Sequence, residues 1–269
     1  IRDLDCPSIA LCLDGNALVN RQPLTHFTVA TEQAPKSIRD WITLFSQCLV
    51  SQPKLQRAPV HRDLALGRSF VIAVLDDSPL SPFGIDTLLE DLSLIDGEVV
   101  VVFNHPEIAQ RFSSHKRIDR FARLSDNAGV GRAWNMGLML CTKPVVFFLN
   151  ADLRIGARSV EALEQALQLT PQVCLVGPQG GFCDFEAQQD LYYLATKATG
   201  AATLVDQVSG FYFALRRESF FALQLQFYSE YLPCYMEEWD LAMQLRLRGG
   251  VCLRVPTSDY EHYFGGSTL

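Results

Sequence analysis

No two cysteines in this 269-residue chain stand in a Cys-x-x-Cys pair, although there are eight, at positions 6, 12, 48, 141, 174, 183, 234 and 252. That absence argues against a zinc knuckle and a thioredoxin-type motif, and makes a reducing compartment the simpler expectation. The N-terminus lacks a charged start, an apolar stretch and a small-residue cleavage site, so nothing there reads as an export leader. Long apolar runs are missing as well: the longest, such as 145–149, are strand-sized, against the roughly 20 residues of a membrane-spanning helix. Positive charge is in deficit, with 23 Lys and Arg against 30 Asp and Glu and a net charge of −7. Nothing therefore draws the whole molecule to nucleic acid or an anionic membrane, and an anionic ligand would need a local site. No internal repeat or low-complexity tract is present. With 48% hydrophobic residues the chain can bury a full core, which excludes disorder, collagen and small disulfide scaffolds. It opens on Ile1 rather than Met, as expected of a processed protein or a piece of a longer polypeptide.

What is present from Ser69 onward is an alternation of buried-strand and helix patterns, the mark of a sheet flanked by helices. Apolar runs at 70–75, 99–103 and 145–149 suit strands covered on both faces. Helical spacing follows at Leu88, Leu89 and Leu92, over 129–141 and over 160–169. Farther on, 173–176 reads as a short strand, 178–200 as a Gly- and Gln-rich loop with weak helix, and 205–215 as one longer strand. Residues 237–248 read as a helix ended by Gly249-Gly250. Residues 1–68 are broken by five prolines and read as an N-terminal extension or small subdomain, leaving 69–269 as the main domain.

Polar residues collect just past the apolar runs: Asp76 and Asp77 after the first, Asn104 after the second, Asn150 and Asp152 after the third. In open α/β sheets ligands bind outside those carboxyl ends, although Asp and Asn also populate ordinary turns. The stretch from Asn127 to Gly137 combines glycines with Arg132 and Asn135 near a helix start, which suits phosphate; close packing of helix on sheet explains the glycines equally well. Asp152 could hold a hard divalent cation or cap the following helix. Glu237, Glu238 and Asp240 crowd three carboxylates into four residues, which would raise at least one pKa if they are buried; a helix dipole also favours acids there. His262, in a polar Gly-rich tail, is either a metal or phosphate contact or a structural histidine.

Taken in order, five segments resemble the family 2 glycosyltransferases, inverting enzymes of the GT-A fold. They are DNAGVGRAWNMG (126–137), VVFFLNADLRI (145–155), VDQVSGFYFALRRESF (205–220), MEEWDLAMQLRLRGG (236–250) and HYFGGS (262–267), within a match covering about Ser69 to Ser267. The resemblance implies an α/β fold with a mixed, mainly parallel sheet. It puts Asn150-Ala151-Asp152 at the family's D-x-D-type position, with Asp152 and His262 holding Mn²⁺ or Mg²⁺. Glu238 becomes the catalytic base, with Glu237 and Asp240 orienting it and binding acceptor. Asp76, Asp77, Asn104, Asn127, Arg132, Asn135 and Asn150 would line the nucleotide-sugar pocket. Two departures stand out: Phe103 replaces the aspartate that usually reads the base, and Glu238 stands where the family carries aspartate.

The resemblance thus implies transfer of a sugar from a nucleoside diphosphate donor to a hydroxyl of a glycan or lipid-linked glycan, in bacterial surface polysaccharide synthesis. It implies a cytoplasmic location, peripheral at the inner face of the membrane, with no nucleic-acid partner and with further domains of a longer polypeptide as partners. Two alternatives stay open: a degenerate nucleotide- or glycan-binding module of the same fold, and a nucleotidyltransferase.

Overall fold

The computed structural model describes residues 11–13, 27–29, 67–75, 81–169, 171–184, 189–195, 201–228, 231 and 234–263. Asp76, Asp77 and the tail beyond 263 lie outside them, as does most of 1–66, of which only β1 (Leu11–Leu13) and β2 (Phe27–Val29), a parallel pair, are described.

Runs of Val, Ile and Phe build the centre of one eight-stranded sheet, because such side chains pack on a pleated surface. Its strands are β3 (Arg68–Val74), β4 (Glu98–Phe103), β5 (Arg120–Arg123), β6 (Val145–Asn150), β8 (Val173–Gly177), β11 (Thr203–Val205), β13 (Tyr212–Arg216) and β14 (Val251–Arg254). They lie in the order β11-β14-β8-β13-β6-β3-β4-β5. β3 runs parallel to β4 and β6, with Ile72 opposite both Val101 and Leu149; β4–β5 and β8–β14 are also parallel. β13 is antiparallel to β6 and β8, and β11 to β14. The mixed, mainly parallel sheet expected from the sequence is what forms.

Alternation along each strand sends side chains to two cores, one per face. Phe70, Ile72, Val101, Phe147 and Leu149 meet α1 (Ile85–Leu92), α2 (Pro106–Phe112) and α4 (Ala157–Leu167) through Leu88, Leu92, Ile108, Val160 and Leu163. Val71, Val100, Val146, Phe148 and Phe213 meet α3 (Val130–Leu140), α5 (Arg217–Ala222) and α6 (Glu237–Leu247) through Trp134, Leu138, Phe220, Leu241 and Leu245. Burial of each such side chain contributes ~1.5–3 kcal/mol. Coverage on both faces explains why these strands read as continuous apolar runs.

Two segments differ from the sequence reading. The expected loop over 178–200 instead holds β9 (Gly180–Asp184) and β10 (Gln189–Leu194), an antiparallel pair that β12 (Gln207–Val208) joins in a second sheet. The single strand expected over 205–215 is divided among β11, β12 and β13, which serve two sheets. Ser209-Gly210-Phe211 forms the break, with the Ser209 N–H donating to the Gln179 carbonyl at 3.1 Å. A third sheet pairs β7 (Leu153–Ile155) with β15 (Tyr260–His262).

α3 packs tightly on β3 because Gly137 has no side chain: a Cβ there would lie 2.3 Å from Cγ1 of Val71. Gly137→Ala is therefore expected to destabilise the protein by about 1–3 kcal/mol, read as a lower urea midpoint by Trp fluorescence. An unchanged midpoint would mean that α3 lifts off the sheet without cost.

Candidate functional site

The end of β6 fixes the first half of the site. Past Asn150 the chain turns through Ala151 and Asp152 and continues as β7, whose antiparallel pairing sets His262 opposite Leu153. The Asp152 and His262 side chains, 8% and 7% exposed, face each other with Oδ1 and Nε2 3.4 Å apart. Oδ1 of Asp152 accepts no hydrogen bond from the described residues. Asp152 does not cap the following helix, since Gly156 is the N-cap of α4 and the Asp259 carboxylate accepts from the Arg158 N–H at 3.0 Å. β7 is clamped from α1: Asp91 accepts from Nε and Nη2 of Arg154 at 2.6 and 2.7 Å and from the Ile155 N–H at 3.0 Å.

Two ligands on neighbouring positions of a divalent cation, each at about 2.1 Å, stand about 3 Å apart. A buried carboxylate and imidazole at 3.4 Å fit such an ion. Among the described residues no group of three or more His, Cys, Asp or Glu could hold a metal. The remaining coordination would come from ligand oxygens and water, the habit of Mg²⁺-type sites on phosphates.

The second half of the site is the start of α6. Glu238 is half-buried against Gly210, where a Cβ would lie 3.2 Å from its Cδ and 3.3 Å from Cη2 of Trp134. The next residue, Phe211, stacks its ring on the His262 imidazole, with centroids 4.2 Å apart and planes 9° from parallel. Its carbonyl accepts from the Asn150 N–H at 2.9 Å. Two consecutive residues thus join the Asp152–His262 pair to Glu238, and the two halves lie at the same end of the sheet.

The neighbouring carboxyls behave differently. Glu237 is 2% exposed, and burial, then the Glu238 charge, push its pKa up to about 8. Asp240 is buried and accepts from Nε2 of Gln244 at 2.7 Å, while the Gln244 carboxamide holds the Gln226 backbone N–H and carbonyl at 3.1 and 2.9 Å.

The carboxamides of the expected donor pocket divide into those that hold loops and those that face solvent. Asn104 is 2% exposed; its Oδ1 accepts from the Ala128 N–H at 3.1 Å and its Nδ2 donates to the Gly129 carbonyl at 3.5 Å. Asn135 grips Phe227 in the same two-ended way, at 2.6 and 3.2 Å. Asn127 is exposed and accepts from the Gly129 N–H at 2.9 Å, an Asx turn that leads into α3. Arg132 is exposed on the first turn of α3, and Asn150 is half-buried at the end of β6. Of the glycines here, Gly129 takes φ +84°, while Gly131 lets α3 approach the Tyr228 carbonyl, 2.8 Å from a Cβ at that position. Both alternatives raised for this stretch thus have a physical basis: packing accounts for Gly131 and Gly137, and the exposed Arg132 remains open to a ligand. Phe103, which the resemblance sets where the family reads the base, is fully buried, its ring steeply inclined to that of Phe121 with centroids 6.2 Å apart.

Sequence reasoning passed over Gly210 and Phe211, whose only trace was small residues within an apolar run. It also passed over Tyr235 and Met236, which precede α6 with φ of 87° and 76°. Nothing in residue type foretells left-handed angles at Tyr and Met.

The model of the family described as glycosyl transferase family 2 matches residues 84–222. No curated protein sequence matches the chain. Among solved structures it is similar to GalNAc-T7 crystallised with UDP, GalNAc and Mn²⁺, at 16% identity over 75% of this chain and 44% of that one, with a TM-score of 0.54. It is similar too to S. aureus TarS 1-349 in complex with UDP-GlcNAc, at 14% identity over 76% of this chain and 61% of that one, with a TM-score of 0.54. At such identities the likeness shows the fold. The chain spans less than two thirds of either structure.

The Glu237 carboxyl makes stability pH-dependent. Below about pH 4.5 it is protonated both folded and unfolded. Between there and about pH 8 the unfolded chain releases the proton while the folded one keeps it, so stability falls as pH rises, by up to ~1.4 kcal/mol per pH unit, and levels off above. Glu237→Gln is expected to remove that fall, so its stability relative to the parent grows from about pH 5 to about pH 8. Urea denaturation across this range checks it; a pH-independent difference would contradict it.

Proposed function

The chain belongs to glycosyl transferase family 2, and from that premise we propose that residues 69–269 catalyse inverting, metal-assisted transfer of a sugar from a nucleoside diphosphate donor to a hydroxyl of a glycan. The observation that supports this reading is the Gly210–Phe211 link, two consecutive residues of which one lies against Glu238 and the other against His262.

Asp152 and His262 would hold Mn²⁺ or Mg²⁺, which when bound offsets the charge of the departing diphosphate. Glu238 accepts the proton of the acceptor hydroxyl as that oxygen attacks the anomeric carbon. The bond from this carbon to the diphosphate oxygen breaks on the opposite face, and the configuration inverts. Glu237, raised to about pH 8 by burial, keeps its proton at neutral pH. Negative charge in this turn therefore falls to its neighbours, as a base at 238 requires. Asp240 positions the helix through Gln244 and Gln226. Asn104 and Asn135 shape the donor side by holding loops, while Asn127, Arg132 and Asn150, together with Asp76 and Asp77, supply its contacts.

The nucleotides in the similar structures, UDP-GlcNAc with TarS and UDP with GalNAc-T7, support a uridine nucleotide as the first to try. A glycan or lipid-linked acceptor, surface polysaccharide synthesis in a bacterium, and a cytoplasmic place at the inner membrane face complete the proposal, within a longer polypeptide. No helix among the described residues is long and apolar enough to cross a membrane. One observation favours a second reading: Phe103 is fully buried where the family reads the base, as a binding module that has lost turnover would tolerate.

Incubation with a panel of nucleotide sugars and Mn²⁺ tests the enzymatic reading, which predicts hydrolysis or transfer from at least one donor. Nucleotide binding without any turnover would favour the second reading. Glu238→Gln is expected to lower turnover by about 10²–10⁴-fold while donor still binds. Asp152→Asn is expected to weaken metal-dependent donor binding by ~1–3 kcal/mol. Titration calorimetry showing equal donor affinity with and without Mn²⁺ in both forms would contradict the cation site.

A further inference from the structure

The backbone just before α6 is strained in a way that stability alone does not favour. Tyr235 and Met236 both take left-handed angles, which strain a non-glycine backbone, and Tyr235 is 65% exposed. The turn is nonetheless braced. Glu237, which follows it, is 2% exposed. Its methylenes rest against the first turn of α3, where a Cβ at Gly131 would lie 3.6 Å from Cγ of Glu237. An aromatic ring is thus presented to solvent from a fixed base.

Tyr235 and Glu238 are three positions apart, so their Cα atoms are within about 11 Å whatever the turn's shape. A pyranose that presents a hydroxyl to Glu238 can therefore lie within reach of the Tyr235 ring. Pyranose sugars expose one face of C–H groups, and an aromatic face, with its negative quadrupole, attracts them while a Tyr hydroxyl stays wet.

We propose that Tyr235 is an acceptor-binding residue, its ring receiving the C–H face of the pyranose whose hydroxyl is directed at Glu238. The proposal deepens the glycosyltransferase reading and rests on it for the role of Glu238. It also accounts for the strain: a glycine at 235 would relax the backbone but forfeit the ring.

Saturation-transfer NMR with the methyl glycosides of glucose, galactose and N-acetylglucosamine tests it without needing turnover. The wild-type protein transfers saturation to the pyranose C–H protons of at least one probe. Tyr235→Ala weakens that binding about three- to tenfold, and Tyr235→Phe keeps it. Tyr235→Gly weakens it equally while raising the melting temperature, because the backbone strain is relieved. A purely structural tyrosine predicts no loss of sugar contact in the glycine variant. Equal saturation in wild type and Tyr235→Ala, or none from any probe in the wild type, overturns the proposal. Absence of turnover with every nucleotide sugar, alongside Tyr235-dependent pyranoside contact, sinks the transferase reading and leaves the platform standing.

Discussion

The site depends on one short-range constraint: a glycine that leaves room for a carboxylate, followed by a phenylalanine that lies flat on an imidazole. Gly210 admits Glu238 because it has no Cβ, and Phe211 supports His262 at van der Waals distance. Neither contact is strong alone. They are effective because both residues sit in the turn between β12 and β13, and β13 is locked into the middle of the sheet. Phe213 there stacks on Phe148 at 4.8 Å, and Trp134 packs edge-on against both. A shift at 210–211 would have to disturb that aromatic cluster, and a densely packed core resists such movement.

Two buried charges away from the site are well supplied: Glu98 accepts from Ser69, Thr142 and Arg120, and Arg216 donates to the carbonyls of Pro171, Val173 and Leu167. At the site, Oδ1 of Asp152 and Oε1 of Glu237 are buried without a hydrogen bond among the described residues. Such atoms cost stability, and Glu237 directly follows the left-handed angles at Tyr235 and Met236. The described thiols follow the pattern of the core: burial pushes Cys141 and Cys252 up to about 12, which keeps them unreactive.

Much of the fold was legible because its strands are buried on both faces, which turns 70–75, 99–103 and 145–149 into unbroken apolar runs. The helices at 85–92, 130–140 and 237–247 declared themselves through leucine spacing or a glycine stop, Gly249 taking φ +77° at the end of the last. Legibility failed where short strands serve different sheets: 205–215 looks continuous because only Asp206 and the short Ser209-Gly210-Phe211 turn interrupt it, and β9–β10 carry too many Gly and Gln to read as strands. At the site, Asp152, Glu238 and His262 were found as residue types at strand and helix ends. Their relation was not, since it depends on which strand pairs with β7. Asn104 and Asn135 show the converse limit, for a carboxamide that grips backbone is indistinguishable in sequence from one that faces a ligand.

The pairing of β7 with β15 also has a bearing on biosynthesis. His262 belongs to the last described strand, whereas Asp152 comes far earlier in the chain, so the two meet only once residues 260–262 have left the ribosome. The parallel core of β3, β4 and β6 can assemble before that. A nascent chain would therefore pass through a stage in which that parallel core is formed and the Asp152–His262 pair is not.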